Sequence, residues 1–408
     1  MANTVLLRNA RIVLPERTAE SASILVEDSR IARILDSSSV QSVKTNSVVN
    51  LDGFTVFPGF IDIHIHGAIG VDTMAASATD LRRVAEFLGR NGVTAWLPTL
   101  VPSPDDQYNR AVDSISDLMR KQKAEFAPSA LSADGTSALP AKAARVLGVH
   151  YEGPFVNSQQ CGALHREYFR TFTDAADLDA LPTIENEHAI HMMTLAPEID
   201  GGIHLVGELN TRGWIVSLGH TRATGDVLDR ALQAGARHLT HFMNAMTPLH
   251  HRAPGPVGWG LMHDDVTCDL IADGVHLDPS ILKLILRMKS ADRISLISDA
   301  IAAVGLGDGE YHIWGEKIVV NDGRTQNAHG SIAGSVITML EAVRMMLSLG
   351  VSEFEVARMA ALNPARLLQI DRDYGSIEEG KRADLVALDE TLNVRLTIIG
   401  GKIVHFRE

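Results

Sequence analysis

The sequence predicts a (β/α)₈ barrel, an α/β fold, with a small sheet domain drawn from both ends of the chain. Between Thr55 and Ile297, eight short apolar runs alternate with helical patterns, the rhythm of strands buried on both faces and covered by helices. On either side the rhythm changes to strands and polar turns alone. A length of 408 residues suits one large domain with an accessory, or two to three small ones.

In chain order, residues 4–13, 22–36 and 47–57 read as short strands with no helical pattern between them. The barrel runs are Thr55–Ile63, Val93–Leu100, Val146–Tyr151, Met192–Ala196, Trp214–Leu218, His238–Phe242, Cys268–Ala272 and Ile294–Ile297. Asp80–Asn91, Gly225–Gly235 and Pro279–Met288 supply helices between several of them. An open doubly wound sheet alternates in the same way, but no Gly-x-Gly-x-x-Gly follows the first strand. Residues 127–143, rich in Ala, Ser and Pro, predict a flexible surface insertion before the third strand. Residues 309–330 predict a β-hairpin excursion after the eighth strand, placed to cover the site. Ala383–Leu388 and Val394–Ile399 resume the strand pattern, and Gly400-Gly401 turns into Lys402–His405. Neither terminal segment can form a core alone, so the two are expected to pair. The expected division is 1–56 with 366–408 as the small domain, and 57–365 as the catalytic barrel.

Composition excludes several function classes. A formal net charge of −13 argues against nucleic acid or an anionic membrane as the main partner. An anionic substrate would need a locally built site of Arg, His and backbone N–H groups. Cys161 and Cys268 are the only cysteines, which suits a reducing cytoplasm and no disulfide framework. Met1 to Val13 carries Arg8 and Arg11 within its apolar run and does not read as a secretory signal, and no run of about 18 apolar residues occurs. A soluble cytoplasmic protein is expected.

The chemistry is expected where this fold places it, at the C-terminal ends of the strands. Those ends carry His64 and His66, Glu152, Glu198, His220, His241, Asp273 with His276, and Asp299. His64 and His66 stand one residue apart in Pro58–Gly67, so alternation points both to one side, with Ile61, Ile63 and Ile65 on the other. Such a pair can share a divalent metal, although a lone His-x-His is more often incidental. Taken singly, Glu152 reads as a turn carboxylate, His220 as a helix-start residue and His241 as a core histidine. His238, which enters the same strand as His241, reads as structural. Together Glu152, His220 and His241 make a catalytic-type zinc set of three ligands with a place left for water. A metal there would lower the pKa of that water and polarise a carbonyl. Asp299 could take the water's proton and deliver it to a leaving amine, unless it only caps the following helix.

The motifs then resemble a known family. Pro58–Gly67, Glu152-Gly153-Pro154-Phe155, Leu218-Gly219-His220-Thr221, Thr240–Met246, Ile271–His276 and Ser298-Asp299-Ala300 are similar to the amidohydrolase superfamily, and within it to the N-acetylglucosamine-6-phosphate deacetylase family. Ala333-Gly334-Ser335, Asn363-Pro364-Ala365 and Gly380–Val386 extend the match toward the C-terminus. The resemblance implies a barrel carrying a small β-sandwich built from both termini, and metal-dependent removal of acetate from an acetamido-sugar phosphate. It assigns the main metal to Glu152, His220 and His241, and acid/base catalysis to Asp299. His276 would contact the substrate near its amide carbonyl, and Asn244 and Ala245 would bind the phosphate. Arg252 matches an arginine that reaches the phosphate of the neighbouring subunit, which implies a homodimer.

Departures from the family pattern carry expectations of their own. Some members have a Gln-x-Asn type pair at the first strand and one metal. His64 and His66 would add a second metal bridged through Glu152. The cofactor is expected to be one or two divalent ions, zinc first, with iron, manganese or cobalt as alternatives. Leu164 stands where a histidine is common, with His165 one residue later, so Ala163 and Leu164 would occupy substrate-contact positions. Ile332, Ala333 and Gly334 match the substrate-contact loop after the hairpin. No lysine stands where other branches carry a carboxylated bridging lysine. The expected substrate is N-acetyl-D-glucosamine 6-phosphate. The alternatives are its galactosamine epimer, a cyclic amide or N-acyl amino acid, and a non-enzymatic barrel, which would be expected to have lost ligands.

Overall fold

Both ends of the chain meet in one sheet. The computed structural model describes residues 4–36, 39, 45–126 and 143–407. Its N-terminal strands are β1 (Thr4–Val13), β2 (Thr18–Glu27), β3 (Arg30–Leu35), β4 (Ser47–Asn50) and β5 (Thr55–Pro58). The barrel strands follow as β6 (Phe60–Ile65), β7 (Val93–Leu100), β8 (Gly148–Glu152), β9 (Ile190–Leu195), β10 (Ile215–Leu218), β11 (His238–Leu239), β12 (Thr267–Ile271) and β13 (Ile294–Ile297). A ribbon of β14 (Gly309–Ile313), β15 (Glu316–Asn321) and β16 (Arg324–Asn327) comes next. The C-terminal strands are β17 (Leu385–Leu388), β18 (Val394–Ile399) and β19 (Lys402–Phe406).

The terminal sheet runs β19–β18–β17–β5–β1–β2–β3, with β4 beside β1. Strand β5 joins its halves, parallel to β1 and antiparallel to β17. Alternation sorts the side chains by face: Val5 and Leu7 pack with Ile12, Ile24, Leu385 and Leu396, while Leu6 meets Leu25 and Leu35 elsewhere. The strand expected over 22–36 is two strands, because Asp28 at φ 52° turns the chain back and β2 pairs antiparallel with β3. The strand expected over Thr55–Ile63 is also broken, at Gly59. A β-carbon there would lie 2.2 Å from Thr94 Cγ2, so only glycine lets the backbone pass. The break assigns β5 to the terminal sheet and β6 to the barrel.

Strands β6 to β13 pair in parallel and in chain order. The ring is drawn together where Ile65 bridges Ala300, Asp299 N–H donates to His64 carbonyl (2.9 Å), and Ser298 Oγ donates to Asp62 Oδ2 (2.5 Å). The helix Ala78–Arg90 shows how the outer layer forms. Ser77 and Asp80 cap it reciprocally, and Leu81, Val84, Ala85 and Leu88 bury one stripe at helical spacing. Burying each large member of that stripe is worth roughly 1.5–3 kcal/mol. Asp278 starts the helix Pro279–Lys289 by accepting from Ser280 N–H at 2.7 Å, with Pro279 in its first turn. Strand β11 is shorter than the run His238–Phe242, because His241, Met243 and Ala245 take positive φ and coil the chain out of the sheet. The insertion expected over 127–143 lies outside the described residues except for its last residue, Ala143, which is buried. Among the described residues no helix is long and apolar enough to cross a membrane.

Candidate functional site

Glu152 ends β8 at the centre of four imidazoles. Its Oε1 lies 2.9 Å from His220 Nε2, 2.9 Å from His241 Nε2 and 3.5 Å from His64 Nε2, and its Oε2 lies 3.3 Å from His66 Nε2. Asp299 Oδ1 stands 3.2 Å from His66 Nε2 and 3.5 Å from His64 Nε2. Thus β6, β8, β10, β11 and β13 each deliver a side chain from the C-terminal end to one point, all of them buried. Ile61 and Ile63 pack with Ala95, Leu97 and Met192, whereas Ile65 joins the main apolar cluster beyond a register shift in β6.

Strained backbone aims several of these groups. His220, His241 and Asp299 have φ of 47°, 28° and 50°, a region costly for side chains with a β-carbon. Before His220, Gly219 leaves room that a β-carbon, 2.3 Å from Thr240 Cγ2, would occupy. Surrounding polar groups fix the rings. His220 Nδ1 lies 2.8 Å from the Gln160 carbonyl, which can only accept, so that nitrogen carries the proton and Nε2 is left to face Glu152. His241 N–H donates to Asp269, and His64 Nδ1 lies 3.1 Å from Thr240 Oγ1. Glu198 stands apart from the cluster, accepting from Thr221 Oγ1 (2.6 Å) and Asn157 (2.8 Å) and so holding the turn after His220.

Two supporting residues escape the strand-end reading. His150, two residues before Glu152, donates from Nδ1 to the Ile63 carbonyl (3.0 Å) and packs edge-on to His64 with centroids 4.7 Å apart. Burial, then the neighbouring charge of His64, holds its pKa well below the ordinary value, so it stays neutral. Asp62 sits two residues before His64. Burial raises its pKa to about 6 against the opposing hydrogen bonds from Ser298. The i, i+2 spacing to a ligand was the available signal in both cases.

The electrostatics describe a pre-formed cation site. Burial alone would raise the Glu152 carboxyl, but His64, His220 and His241 outweigh it and hold the pKa well below the usual range. Asp299 is likewise lowered against burial by His64 and His66. Burial would lower His66, yet Asp299 and Glu152 raise it to about 10, and Glu152 with Asp299 raises His241 to about 9. Without a metal, protons therefore supply the positive charge that the carboxylates demand. The donor set fits a divalent cation. His64, His66 and Glu152, and again Glu152, His220 and His241, bring three ligand atoms within 4.8 Å of one another. Of the ring nitrogens that face the cluster, buried His64 Nε2 has no hydrogen-bond partner among the described residues. His220 Nε2 and His241 Nε2 are 3.1 Å apart, a contact between acceptors unless a proton or cation lies between them.

These groups open into a cavity of about 300 Å³ whose wall includes His66, Glu152, Asp299, Asn244, Ala245 and His276. Ala163, Leu164, Ile332 and Gly334 add its less polar side. Ala333, between the last two, is fully buried against the ribbon instead. His276 is held by Asp273, whose Oδ2 lies 2.6 Å from Nδ1. Arg252 stands outside this cavity on an exposed turn, its guanidinium 2.8 Å from His251 Nε2. His165 turns toward the ribbon and meets the Trp314 carbonyl at 2.8 Å. Trp314, which the strand ends do not announce, lines the cavity.

Comparison with known proteins places this geometry in context. The profile of the amidohydrolase family matches residues 55–404. The chain is 35% identical over 404 residues to the N-acetylgalactosamine-6-phosphate deacetylase of Escherichia coli O157:H7, covering 99% of this chain and 100% of that one. It is 33% identical over 406 residues to the N-acetylglucosamine-6-phosphate deacetylase of Bacillus subtilis strain 168, covering 99% and 98%. Among solved structures, N-acetylglucosamine-6-phosphate deacetylase from Pasteurella multocida superposes with a TM-score of 0.86 at 29% identity, covering 98% of this chain and 99% of that one.

Proposed function

The chain belongs to the amidohydrolase family, and from that premise we propose that it hydrolyses N-acetyl-D-glucosamine 6-phosphate to D-glucosamine 6-phosphate and acetate. The observation that carries this reading is Glu152, within 2.9–3.5 Å of four imidazoles and beside Asp299, in a chain related end to end to amino-sugar-phosphate deacetylases. His220, His241 and Glu152 would hold the main divalent cation, and His64 and His66 a second through the same carboxylate. Zinc suits this mixture of imidazole and carboxylate ligands. A cation held there would supply Lewis-acid polarisation of the amide carbonyl and make water more acidic.

The chain's own groups do the rest. Asp299 Oδ1 takes a proton from the attacking water and returns it to the departing amine nitrogen as the C–N bond breaks. His276, oriented through Nδ1 by Asp273, presents its other nitrogen toward the amide carbonyl. The substrate phosphate meets Asn244 and Ala245 after β11. Arg252 completes the phosphate site of a second copy. Its exposed place outside the cavity of its own chain supports that assignment, and with it a homodimer. The two cysteines are consistent with a cytoplasmic setting. The unit expected at 57–365 carries the chemistry, and the terminal sheet of 1–56 with 366–408 also takes Phe57 and Pro58 through β5.

The galactosamine epimer is the second reading, because the Escherichia coli enzyme that carries that name matches over 99% of this chain and 100% of its own. Turnover of both N-acetyl hexosamines, with and without the 6-phosphate, separates the readings. The gluco phosphate is expected to have the highest kcat/KM. Equal turnover of free and phosphorylated sugars would remove the phosphate-site assignment. Arg252→Ala is expected to erode the preference for phosphate by roughly 1.5–3 kcal/mol, the value of a charge-assisted hydrogen bond. Mixed dimers of Arg252→Ala and Asp299→Asn subunits should recover part of the activity. No recovery despite subunit exchange would place Arg252 in the site of its own chain or in none.

A further inference from the structure

The ribbon after β13 turns at Trp314-Gly315, where φ is 54° and 78°. A two-residue hairpin turn with both φ positive is ordinarily built from small residues such as Asn-Gly. A tryptophan in that conformation is strained, and strain of this kind persists where the surroundings or a use for the side chain hold it. The indole does not point away into solvent. Its centroid lies 5.1 Å from the His66 ring in an edge-on contact at 84°, and His66 Nε2 is in turn 3.2 Å from Asp299 Oδ1. The Trp314 carbonyl accepts from His165 Nε2 at 2.8 Å, which fastens the tip of the ribbon to the loop that carries Ala163 and Leu164.

Trp314 also stands between two spaces. One is the cavity of about 300 Å³ that contains Glu152 and Asp299. The other is a polar cleft of about 940 Å³ bordered by Asp72, Ser103, Arg110 and Tyr168. Among the described residues Trp314 alone borders both. It approaches the site beside β6 and β13, whereas Asn244 and Ala245 follow β11, which is separated from β13 by β12. A substrate whose phosphate sits at Asn244–Ala245 and whose amide reaches Asp299 runs from the β11 side of the site toward the side on which the indole stands.

We propose that Trp314 is the end wall of the acyl subsite and sets the length of acyl group this chain removes. The inference rests on the deacetylase reading above. Shortening the side chain joins the acyl subsite to the larger cleft, so longer chains gain room while the phosphate and amide contacts stay in place.

The test compares N-acetyl-, N-propionyl- and N-butyryl-glucosamine 6-phosphate on the metal-loaded wild type and on Trp314→Phe, Trp314→Ala and Trp314→Gly. The readout is the ratio of kcat/KM for butyryl to acetyl, which does not change with the fraction of protein that folds. Glycine also relieves the positive φ, so it keeps the test open if alanine unsettles the turn. We expect the ratio to rise at least tenfold in Trp314→Ala and Trp314→Gly, and less in Trp314→Phe. Ratios within twofold of wild type in the active variants overturn the inference while leaving the deacetylase reading intact. A wild type that hydrolyses none of the series removes that reading and this inference together.

Discussion

His238 and His241 stand three residues apart, one at each end of the same short strand exit, and their surroundings differ in kind. Both ring nitrogens of His238 are engaged, Nδ1 with Thr267 Oγ1 at 2.8 Å and Nε2 with Asp269 Oδ2 at 3.0 Å. It borders a cleft of about 710 Å³ at the N-terminal end of the barrel, with Arg237, Arg293 and Arg358 nearby. His241 shares Glu152 with His220, keeps a buried Nδ1 without a partner, and sits on strained backbone. His238 satisfies both ring nitrogens with neighbouring side chains, whereas His241 turns Nε2 toward a shared carboxylate and a second imidazole. Cavity size does not make that distinction, since the chemically equipped cavity is the smaller of the two.

The largest expected effect falls on the C-terminal end. His241→Ala should lose bound metal by elemental analysis and about 10³-fold or more in turnover, a barrier increase of roughly 4 kcal/mol. Full activity in chelated, metal-free protein would falsify the metal reading. Replacing His64 should be milder if it serves only a second ion, and equal damage would show that the two positions act as a unit.

Asp299→Asn comes next. It should keep metal and fold while kcat falls by at least about a hundredfold, the scale of a lost acid/base group. Near-native kcat would reassign Asp299 to capping the chain after β13.

The third test follows from charge. In the metal-free chain the raised pKa values of His66, about 10, and His241, about 9, keep both rings protonated at pH 8. A cation must displace those protons, so its affinity should climb as pH rises toward those values and level off above them. The slope is about tenfold per pH unit for each proton displaced. Calorimetry in buffers of different ionisation enthalpy counts the protons, and a count of zero at pH 8 would contradict the coupling.

The smallest effect belongs to the satisfied histidine. His238→Asn leaves Asp269 short of one partner, so stability should drop by about 1–3 kcal/mol in a denaturant titration, with metal content kept. Metal loss as complete as in His241→Ala would erase the contrast between the two ends.

Much of this was legible in the chain itself. Alternating apolar runs announced the eight strands, and β13 matches its expected span Ile294–Ile297 residue for residue. The strand ends also named the carboxylates and imidazoles that meet at Glu152, because a barrel exposes the same end of every strand. The errors lie where one residue overrides a local pattern. An unbroken apolar run hid the division at Gly59, which is imposed by Thr94 from the neighbouring strand. The short β11 hid within the run His238–Phe242, because the positive φ of His241 leaves no mark in composition.

Spacing along one strand determines which side chains share a face, and so His64 with His66 could be read from the sequence. Closure of the barrel determines which strand ends face one another. The family resemblance leads us to expect Glu152 between the two imidazole pairs, and the tertiary structure brings its carboxylate within 2.9–3.5 Å of all four rings. It also brings His165 and the Trp314 carbonyl together across 149 residues of chain. Local periodicity encodes direction, whereas contact between distant strand ends depends on register, twist and turn geometry summed around the ring. The sequence placed the 309–330 excursion over the site, and that sum decided that Trp314 is the residue of it that meets His66.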